Sequence, residues 1–203
     1  MLKITPYLGI LVLIISIAGL WYPKLGYFLV LVFAAILAIS PFRGRWFCGN
    51  LCPRGSFNDF WIGKISKNRK IPESFKKMKI RIPIFVLFLA IMVYRLMLTQ
   101  GIVDLIGMVF VIACISTTLI AILLGTFISP RTWCTFCPMG TLQRIADRKM
   151  SVLKVDKEMC TDCRLCTNVC PMQIEVNVAK DKPDCIRCNR CVEVCPKDAL
   201  KFS

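Results

Sequence analysis

Two runs of cysteine near the end of the chain have the residue type and spacing needed to hold iron. Both read C-x2-C-x2-C-x3-C-P, and they lie twenty-five residues apart. This pattern binds 4Fe-4S clusters, because two-residue intervals let one loop present three thiolates to neighbouring iron corners. The cysteines are Cys160, Cys163, Cys166 and Cys170 in the first run, and Cys185, Cys188, Cys191 and Cys195 in the second. The duplicated run therefore predicts two clusters.

Zinc and disulfide bonds are the two alternatives for these cysteines. Zinc sites usually pair two C-x2-C units across a longer loop and have no use for a third cysteine at the next interval. Disulfides would require an oxidising compartment. The charge distribution described below places this segment in the reducing cytoplasm instead. Cluster ligation is thus the favoured interpretation.

Residues 152–203 resemble the bacterial-type two-cluster ferredoxins, in which the fourth cysteine of each run binds the other cluster. The resemblance implies a small α+β domain with strands at 152–155, 174–176 and 200–202, and with helices beginning near Cys163 and Cys188. It also implies two ligand sets. One cluster would take Cys160, Cys163, Cys166 and Cys195, and the other would take Cys185, Cys188, Cys191 and Cys170.

The composition of the whole chain is that of a membrane protein. Of its 203 residues 56% are hydrophobic, and the mean hydropathy of +0.63 exceeds what a soluble domain carries. Histidine is absent, which excludes bis-histidine haem, Rieske centres, histidine zinc sites and a histidine general base. Thirteen cysteines without an export context indicate ligation.

Four apolar runs predict four membrane-spanning helices. Each is near the 17 to 25 residues, roughly, that cross a bilayer. The first could alternatively be a signal peptide, since Ser16-Ile17-Ala18 loosely imitates a cleavage site. We predict spans over Ile4 to Trp21, Leu25 to Ile39, Ile82 to Leu98 and Leu105 to Ile128.

Basic residues predict the orientation of these spans. Residues 41–81 contain eleven Lys and Arg and only two acidic residues, and thirteen more basic residues follow Ser129. By the positive-inside rule both segments, and both termini, face the cytoplasm of a cell (inner) membrane. The net charge of +15 fits docking of an acidic redox partner or attraction to anionic lipid. No nucleic-acid partner is expected. The run from Lys76 to Arg81 is interpreted as facing lipid.

A second set of cysteines follows the second and fourth spans. Each span is followed by Ser-Pro, an arginine, a tryptophan, a cysteine pair, then Pro, any residue, and Gly. We interpret this as two parallel hairpin repeats, which would bring Cys48, Cys52, Cys134 and Cys137 together at the inner face of the membrane. The four could hold a third iron-sulfur cluster, copper or zinc, act as a redox dithiol pair, or bind a partner's cofactor. Alternatively they are packing residues in loops that end the spans.

Three further polar positions in the spans are expected to be of less consequence. Cys114, within the fourth span, is interpreted as a packing residue. Arg95 and Asp104 lie near the outer ends of the third and fourth spans. They could mark a quinone headgroup site, although a snorkelling arginine is the simpler explanation.

The paired loops, the four spans and the double 4Fe-4S domain together resemble the NapH-like membrane polyferredoxins, which are related to NosR and CcoG/FixG. The resemblance implies a four-helix membrane domain over 1–145, with cysteine loops at 48–53 and 134–138 and a basic loop at 41–81, and a ferredoxin domain over 152–203. It also implies electron transfer between a membrane donor or acceptor, such as a quinone, and a redox enzyme.

This chain departs from that family in two respects, and other functions remain open. The second loop reads C-x2-C-P where the family shows C-x3-C-P, and the outer turns leave no room for a periplasmic cofactor domain. The alternatives are a cytoplasmic-face copper reductase and a structural anchoring or assembly subunit of a redox complex. Quinol dehydrogenase activity, or another oxidoreductase role, is not decided by the sequence.

Overall fold

A computed structural model describes residues 5–148, 152–178 and 182–202. Three predicted positions lie outside these ranges. They are residues 1 and 203, at the ends of the two predicted domains, and Ile4, the first residue of the first predicted span. Within them the chain is mostly helical, with one small sheet. In chain order the elements are α1 (Thr5–Ala18), α2 (Tyr27–Arg43), α3 (Trp46–Asn50), α4 (Pro53–Phe60), α5 (Glu73–Lys76), α6 (Met78–Leu98), α7 (Val103–Phe127), α8 (Thr132–Phe136), α9 (Pro138–Ala146), β1 (Leu153–Val155), α10 (Leu165–Asn168), α11 (Arg190–Glu193) and β2 (Leu200–Phe202).

Three helical segments of the described chain are long and apolar enough to cross a membrane. They are Pro23–Arg43, Met78–Leu98 and Val103–Phe127, with 21, 21 and 25 residues. Helix α1 is apolar as well but has only 14 residues, or about 21 Å at the rise of an α-helix, against a hydrocarbon thickness of about 30 Å. Three spans are therefore suited to a bilayer, and the fourth stays a prediction.

Two helix boundaries differ from those expected. Helix α2 continues through Pro41 to Arg43, although Ser40-Pro41 was expected to end it. It ends at Gly44, which has a φ of +48° and donates its N–H to the carbonyl of Ser40. A left-handed glycine is the common terminator of a helix. Helix α6 likewise begins at Met78 and so includes Arg81.

Different loops pack against the two ends of helix α7. At its start, the hydroxyl of Tyr27 donates to the carbonyl of Val103, and the turn after Pro23 packs so tightly on Gly107 that a Cβ there would strike the carbonyl of Pro23. At its end, the basic loop is attached by the N–H groups of Lys67 and Arg69, which donate to the carbonyls of Thr126 and Ile128. The cysteine loops lie at this second end.

The ferredoxin domain is closed by its two strands. They pair antiparallel, with Leu153 opposite Phe202 and Val155 opposite Leu200, and Leu153 and Leu200 are buried with Val176 and Cys191. The expected strand at 174–176 does not form. The backbone N–H of Val176 donates instead to the side chain of Thr167, so this segment joins no ladder.

Candidate iron-sulfur sites

The structure brings four of the ferredoxin cysteines together at one cavity. Val155, Leu165 and Leu200 contribute to the wall of this cavity. Its cysteines are Cys160, Cys163, Cys166 and Cys195. This is the first ligand set expected from the resemblance to two-cluster ferredoxins, including the cysteine taken from the other run.

A second cavity gathers the other four cysteines. Its cysteines are Cys170, Cys185, Cys188 and Cys191. Burial raises the pKa of the Cys185 thiol to about 11 and that of the Cys191 thiol to about 12. Metal binding must therefore displace protons from these thiols at neutral pH. The second cavity thus provides soft ligands that are shielded from water.

The backbone around both cavities repeats as the cysteines do. Six residues with positive φ form three pairs, each pair separated by twenty-five residues. Left-handed backbone turns N–H groups toward a common centre and favours bound anions. Asp and Asn tolerate this conformation but Arg and Gln do so less readily. None of the six positions was predicted from the sequence. They are Asp162 with Arg187, Arg164 with Asn189, and Gln173 with Asp198.

The cysteines of the two membrane-domain loops also lie near one another. Cys48 and Cys134 are buried on the short helices α3 and α8, and Cys52 and Cys137 immediately precede α4 and α9. Neighbouring thiols of the group help to raise the pKa of Cys48, Cys52 and Cys134. Burial raises the pKa of Cys134 to about 11 and also raises the pKa of Cys48 and Cys52. We call this group the four-cysteine site.

Two arginines, three residues before Cys48 and Cys134, connect the loops reciprocally. Arg45 of the first loop donates to the carbonyl of Cys134, and Arg131 of the second loop donates to the carbonyl of Cys48 at 2.9 Å. Each loop thus supports the first cysteine of the other.

The glycine that follows each cysteine pair leaves room for the arginine side chain from the other loop. A Cβ at Gly55 would lie 2.6 Å from Nη1 of Arg131, and a Cβ at Gly140 would lie 2.8 Å from Nη2 of Arg45. Such a contact is closer than real side chains show. The Arg and Gly shared by both loops are therefore explained by packing across the site.

The ferredoxin domain is docked on the four-cysteine site through its second cavity. Cys188, a lining residue of that cavity, packs with Cys48, Cys134 and Ile186 in one buried apolar cluster. The side-chain amide of Asn50 donates to the carbonyl of Arg187 at 3.2 Å. A Cβ on Gly49 would collide with the carbonyl oxygen of Ile186. Backbone therefore lies directly against backbone at this junction.

Two aspartates join the domains, and sequence reasoning did not single out either of them. Asp184, next to Cys185, accepts from Arg45 at 3.0 Å, from Arg81 at 2.7 Å and from Arg144 at 3.0 Å. Asp184 is difficult to identify from the sequence, because its three arginine partners lie 139, 103 and 40 residues away. The interpretation of the Lys76 to Arg81 run as facing lipid is therefore wrong for Arg81, which is fully buried.

Asp59 is the second of these aspartates. It accepts two hydrogen bonds from Arg131, at 2.7 and 2.9 Å, and one from Arg190 between two ferredoxin cysteines. Burial opposes its ionisation, but the two guanidinium groups hold its pKa below the usual value. Asp59 is one of only two acidic residues within 41–81, which was the signal that could have identified it.

Three polar positions of the spans remain to be described. Cys114 is buried in α7, where Arg54 donates to its carbonyl at 3.4 Å. Arg95 and Asp104 are both exposed on the described surface. Within residues 5–148, 152–178 and 182–202, no three cysteine or acidic side chains already converge tightly enough for a single metal ion.

Comparison with known families agrees with this distribution of cysteines. A family model described as a 4Fe-4S binding domain matches twice, at residues 25–72 and 103–155, so each match contains one loop of the four-cysteine site. Two other models, also described as 4Fe-4S binding domains, match residues 152–174 and 178–201. These findings confirm ferredoxin-type domains and show the chain to be an iron-sulfur protein of the electron-transfer type.

Two curated relatives come from Methanocaldococcus jannaschii. Uncharacterized protein MJ0749 is 34% identical over 180 residues, covering 85% of this chain and 69% of that protein. The chain belongs to the MJ0749 family. Uncharacterized protein MJ0750 is 29% identical over 187 residues, covering 86% of this chain and 79% of that protein. No solved structure matches the chain.

Proposed function

We propose that this member of the MJ0749 family passes electrons between a membrane donor or acceptor, with a quinone as the candidate, and a redox enzyme. The contact between the second ferredoxin cavity and the four-cysteine site is the observation that supports it most. Cys188 lies in the same buried apolar cluster as Cys48 and Cys134, while Cys163 of the first cavity is exposed. The three sites therefore form a path from the loops at the membrane surface to a surface that a protein partner can reach.

Each ferredoxin cavity would hold one 4Fe-4S cluster through the four cysteines that line it. The donor sets fit, since each cavity offers four thiols beside residues of left-handed backbone, a conformation that favours binding of an anion by N–H groups. When bound, such a cluster accepts and releases single electrons. The residues of this chain would ligate it, exclude water with Leu153, Val176 and Leu200, and fix the distance to the membrane domain through Asp184 and Asp59.

The proposed topology is that of the NapH-like polyferredoxins. Helix α1 would be a fourth, short span, the two hairpins would be parallel repeats, and both termini would lie in the cytoplasm. The basic loop and the cysteine loops lie at the same end of α7, which supports one inner face for all of them. Reporter fusions after Lys24 and Thr99 should report an external location, and fusions after Ser203 an internal one. An exported signal after Ser203 would contradict this topology.

The function is tested by separating the four-cysteine site from the ferredoxin clusters. We would change Cys48 and Cys52 to Ala, then Cys134 and Cys137, then all four, and place each variant in liposomes with a reduced quinone. Reduction of the ferredoxin clusters by dithionite should persist, and reduction by quinol should be lost equally in all three variants, because the groups act as one unit.

The buried Cys114→Ala variant is the matched control and should behave as the natural chain. Quinol reduction that persists without the four cysteines would contradict the path. Failure of quinol to reduce even the natural chain, together with reduction of added copper, would favour the metal reductase.

A further inference from the structure

Arg54 carries a positive charge that no carboxylate of the described chain compensates. Its Nη2 group donates to the carbonyl of Cys114 at 3.4 Å, and its Nε group is buried without an acceptor. None of the ion pairs among the described residues includes it. A guanidinium group has several N–H donors and no acceptor, and a buried donor left unpaired is costly. Arg54 therefore indicates a bound group that accepts hydrogen bonds.

Neither helix stability nor the repeat of the two loops explains an arginine at this position. Arg54 is the second residue of α4, where the positive end of the helix dipole makes a cation unfavourable. The corresponding residue of the second loop, between Pro138 and Gly140, is Met139. The proline and the glycine are common to both loops, whereas the charge belongs to the first loop alone. A role specific to the first loop accounts for this difference.

The guanidinium group of Arg54 lies level with the middle of the span α7. Cys114, whose carbonyl it contacts, is the twelfth of the 25 residues of this helix, about 20 Å from its inner end at the rise of an α-helix. Helix α4 also packs closely on α1, since a Cβ on Gly9 would lie 3.0 Å from Cα of Phe57. Arg54 is therefore held beside two apolar helices, at a depth where a charged side chain is a candidate for function.

A second unpaired donor lies one turn along α7. Thr118 is 5% exposed, and its hydroxyl has no partner among the described residues. The hydroxyls of Thr117 and Thr126 instead donate to carbonyls of their own helix, as is common for threonine within a helix. Cys114 and Thr118 are both buried and are four residues apart, so they share one face of α7. Thr118 thus belongs to the face of α7 that Arg54 contacts.

The depth of these donors selects the class of ligand. A lipid phosphate could accept from Arg54, but phosphates lie outside the hydrocarbon layer, about 15 Å or more from the centre of the bilayer. A quinone headgroup dissolves in the hydrocarbon layer and has two carbonyl oxygens that accept hydrogen bonds. Arg54 is half-buried, and so is Ser16 of α1, whose hydroxyl lies 4.0 Å from the sulfur of Cys114. The protein therefore does not seal this position from the bilayer.

The position also suits the proposed electron path. Arg54 follows Cys52 by two residues, so a ligand bound to Arg54 adjoins the four-cysteine site. Arg95 and Asp104, the positions considered from the sequence, lie near the outer ends of their spans. Asp104 is in the first turn of α7, about 35 Å from the inner end of that helix.

We propose that Arg54 and Thr118 bind the carbonyl oxygens of a quinone headgroup beside α1, α4 and α7. The inference rests on the proposed function and names the place where its membrane donor or acceptor binds. It gives no role to the thiol of Cys114. The backbone carbonyl of that residue, which positions Arg54, is kept when Cys114 is changed to Ala.

Labelling with a photoreactive quinone tests the site without electron transfer. The probe is an azido-substituted benzoquinone with a short isoprenoid tail, added to the full chain in detergent, and labelled peptides are identified by mass spectrometry. The label should lie on α1, α4 or α7. Arg54→Met, which copies the second loop, should lower the labelled fraction about tenfold or more, because a hydrogen bond from a charged donor is lost. Arg54→Lys keeps the charge and should restore part of the labelling.

Two controls match these variants. Arg95→Met removes an arginine near the outer end of α6 and should label as the natural chain does. Thr118→Val should lower labelling about threefold, as expected for a neutral hydrogen bond, whereas Thr126→Val removes a hydroxyl that serves its own helix and should have no effect. Full labelling of Arg54→Met would overturn the site. Loss of labelling in Arg95→Met would overturn it in favour of the outer end.

Reduction by quinol separates this inference from the proposed function. If quinol reduces the natural chain and Arg54→Met equally well, the site at Arg54 is rejected while the electron path stands. If the natural chain is neither labelled nor reduced, the quinone is rejected as the membrane donor together with its site. Labelling and quinol reduction that fall together in Arg54→Met, at natural iron content, would support both.

Discussion

The ferredoxin cavities and the four-cysteine site each assemble four thiols, but by different means. In a ferredoxin cavity three cysteines come from one short run and the fourth from a run twenty-five residues away. In the four-cysteine site the two pairs are separated by 86 residues between Cys48 and Cys134. Local spacing therefore determines the first kind of site, whereas the second depends on buried arginines that cross between loops. The second kind should be far more sensitive to changes outside its cysteines.

The largest effect is expected for Asp184→Asn. This single carboxylate serves Arg45, Arg81 and Arg144, the first two of which are fully buried. An amide of the same shape leaves buried charge uncompensated, which costs about 3–5 kcal/mol. Thermal unfolding in detergent should show this loss, and proteolysis should release the ferredoxin domain sooner. Glu175→Gln, an exposed change in the same domain, is the control. A variant of Asp184 as stable as that control would refute the role of the ion pairs.

Gly49→Ala should come next, because its added methyl group meets the backbone of Ile186. Backbone cannot move aside as a flexible side chain does, so we expect a loss of about 2–3 kcal/mol. Iron bound by the ferredoxin cavities should be retained while quinol reduction slows. Gly63→Ala is the control, since its nearest neighbours would lie 3.7 and 3.8 Å away. Unchanged reduction in Gly49→Ala would show that electrons do not cross this contact.

The two kinds of site also differ in how well they could be predicted from the sequence. The cysteine spacing was sufficient for both cavities because their ligands are mostly local. The repeated loops predicted that the two cysteine pairs meet, since matching motifs follow matching apolar runs, and in the structure Cys48 and Cys134 lie in one buried cluster. Asp184 could not be predicted, because ion pairs to arginines 40 to 139 residues away leave no periodic pattern, whereas Asp59 could have been identified by its rarity in the basic loop. The strand expected at 174–176 failed for a similar reason: the side chain of Thr167 takes the N–H that a ladder would need.

A smaller effect is expected for Gly55→Ala and Gly140→Ala, which compare the two halves of the four-cysteine site. Each methyl group would press on a guanidinium group, at 2.6 Å for Arg131 and at 2.8 Å for Arg45. Because side chains can shift, we expect about 1–2 kcal/mol for each change. Gly55→Ala should cost more, since Arg131 is held by two bonds to Asp59. Calorimetry of both variants, against Gly63→Ala, would measure the difference. Equal costs would mean that Asp59 does not restrain Arg131.

The smallest effect is expected for Cys114→Ala, which separates buried cysteine from ligating cysteine. Cys114 is as buried as Cys48, but its neighbours are the hydroxyl of Ser16 at 4.0 Å and the guanidinium of Arg54 at 3.7 Å. Its backbone carbonyl, which also accepts from Arg54, is kept in the variant. We therefore expect a loss of about 1 kcal/mol with unchanged iron content and unchanged quinol reduction. A fall in iron content or in quinol reduction would contradict this expectation. It would mean that Cys114 takes part in electron transfer and is more than a packing residue.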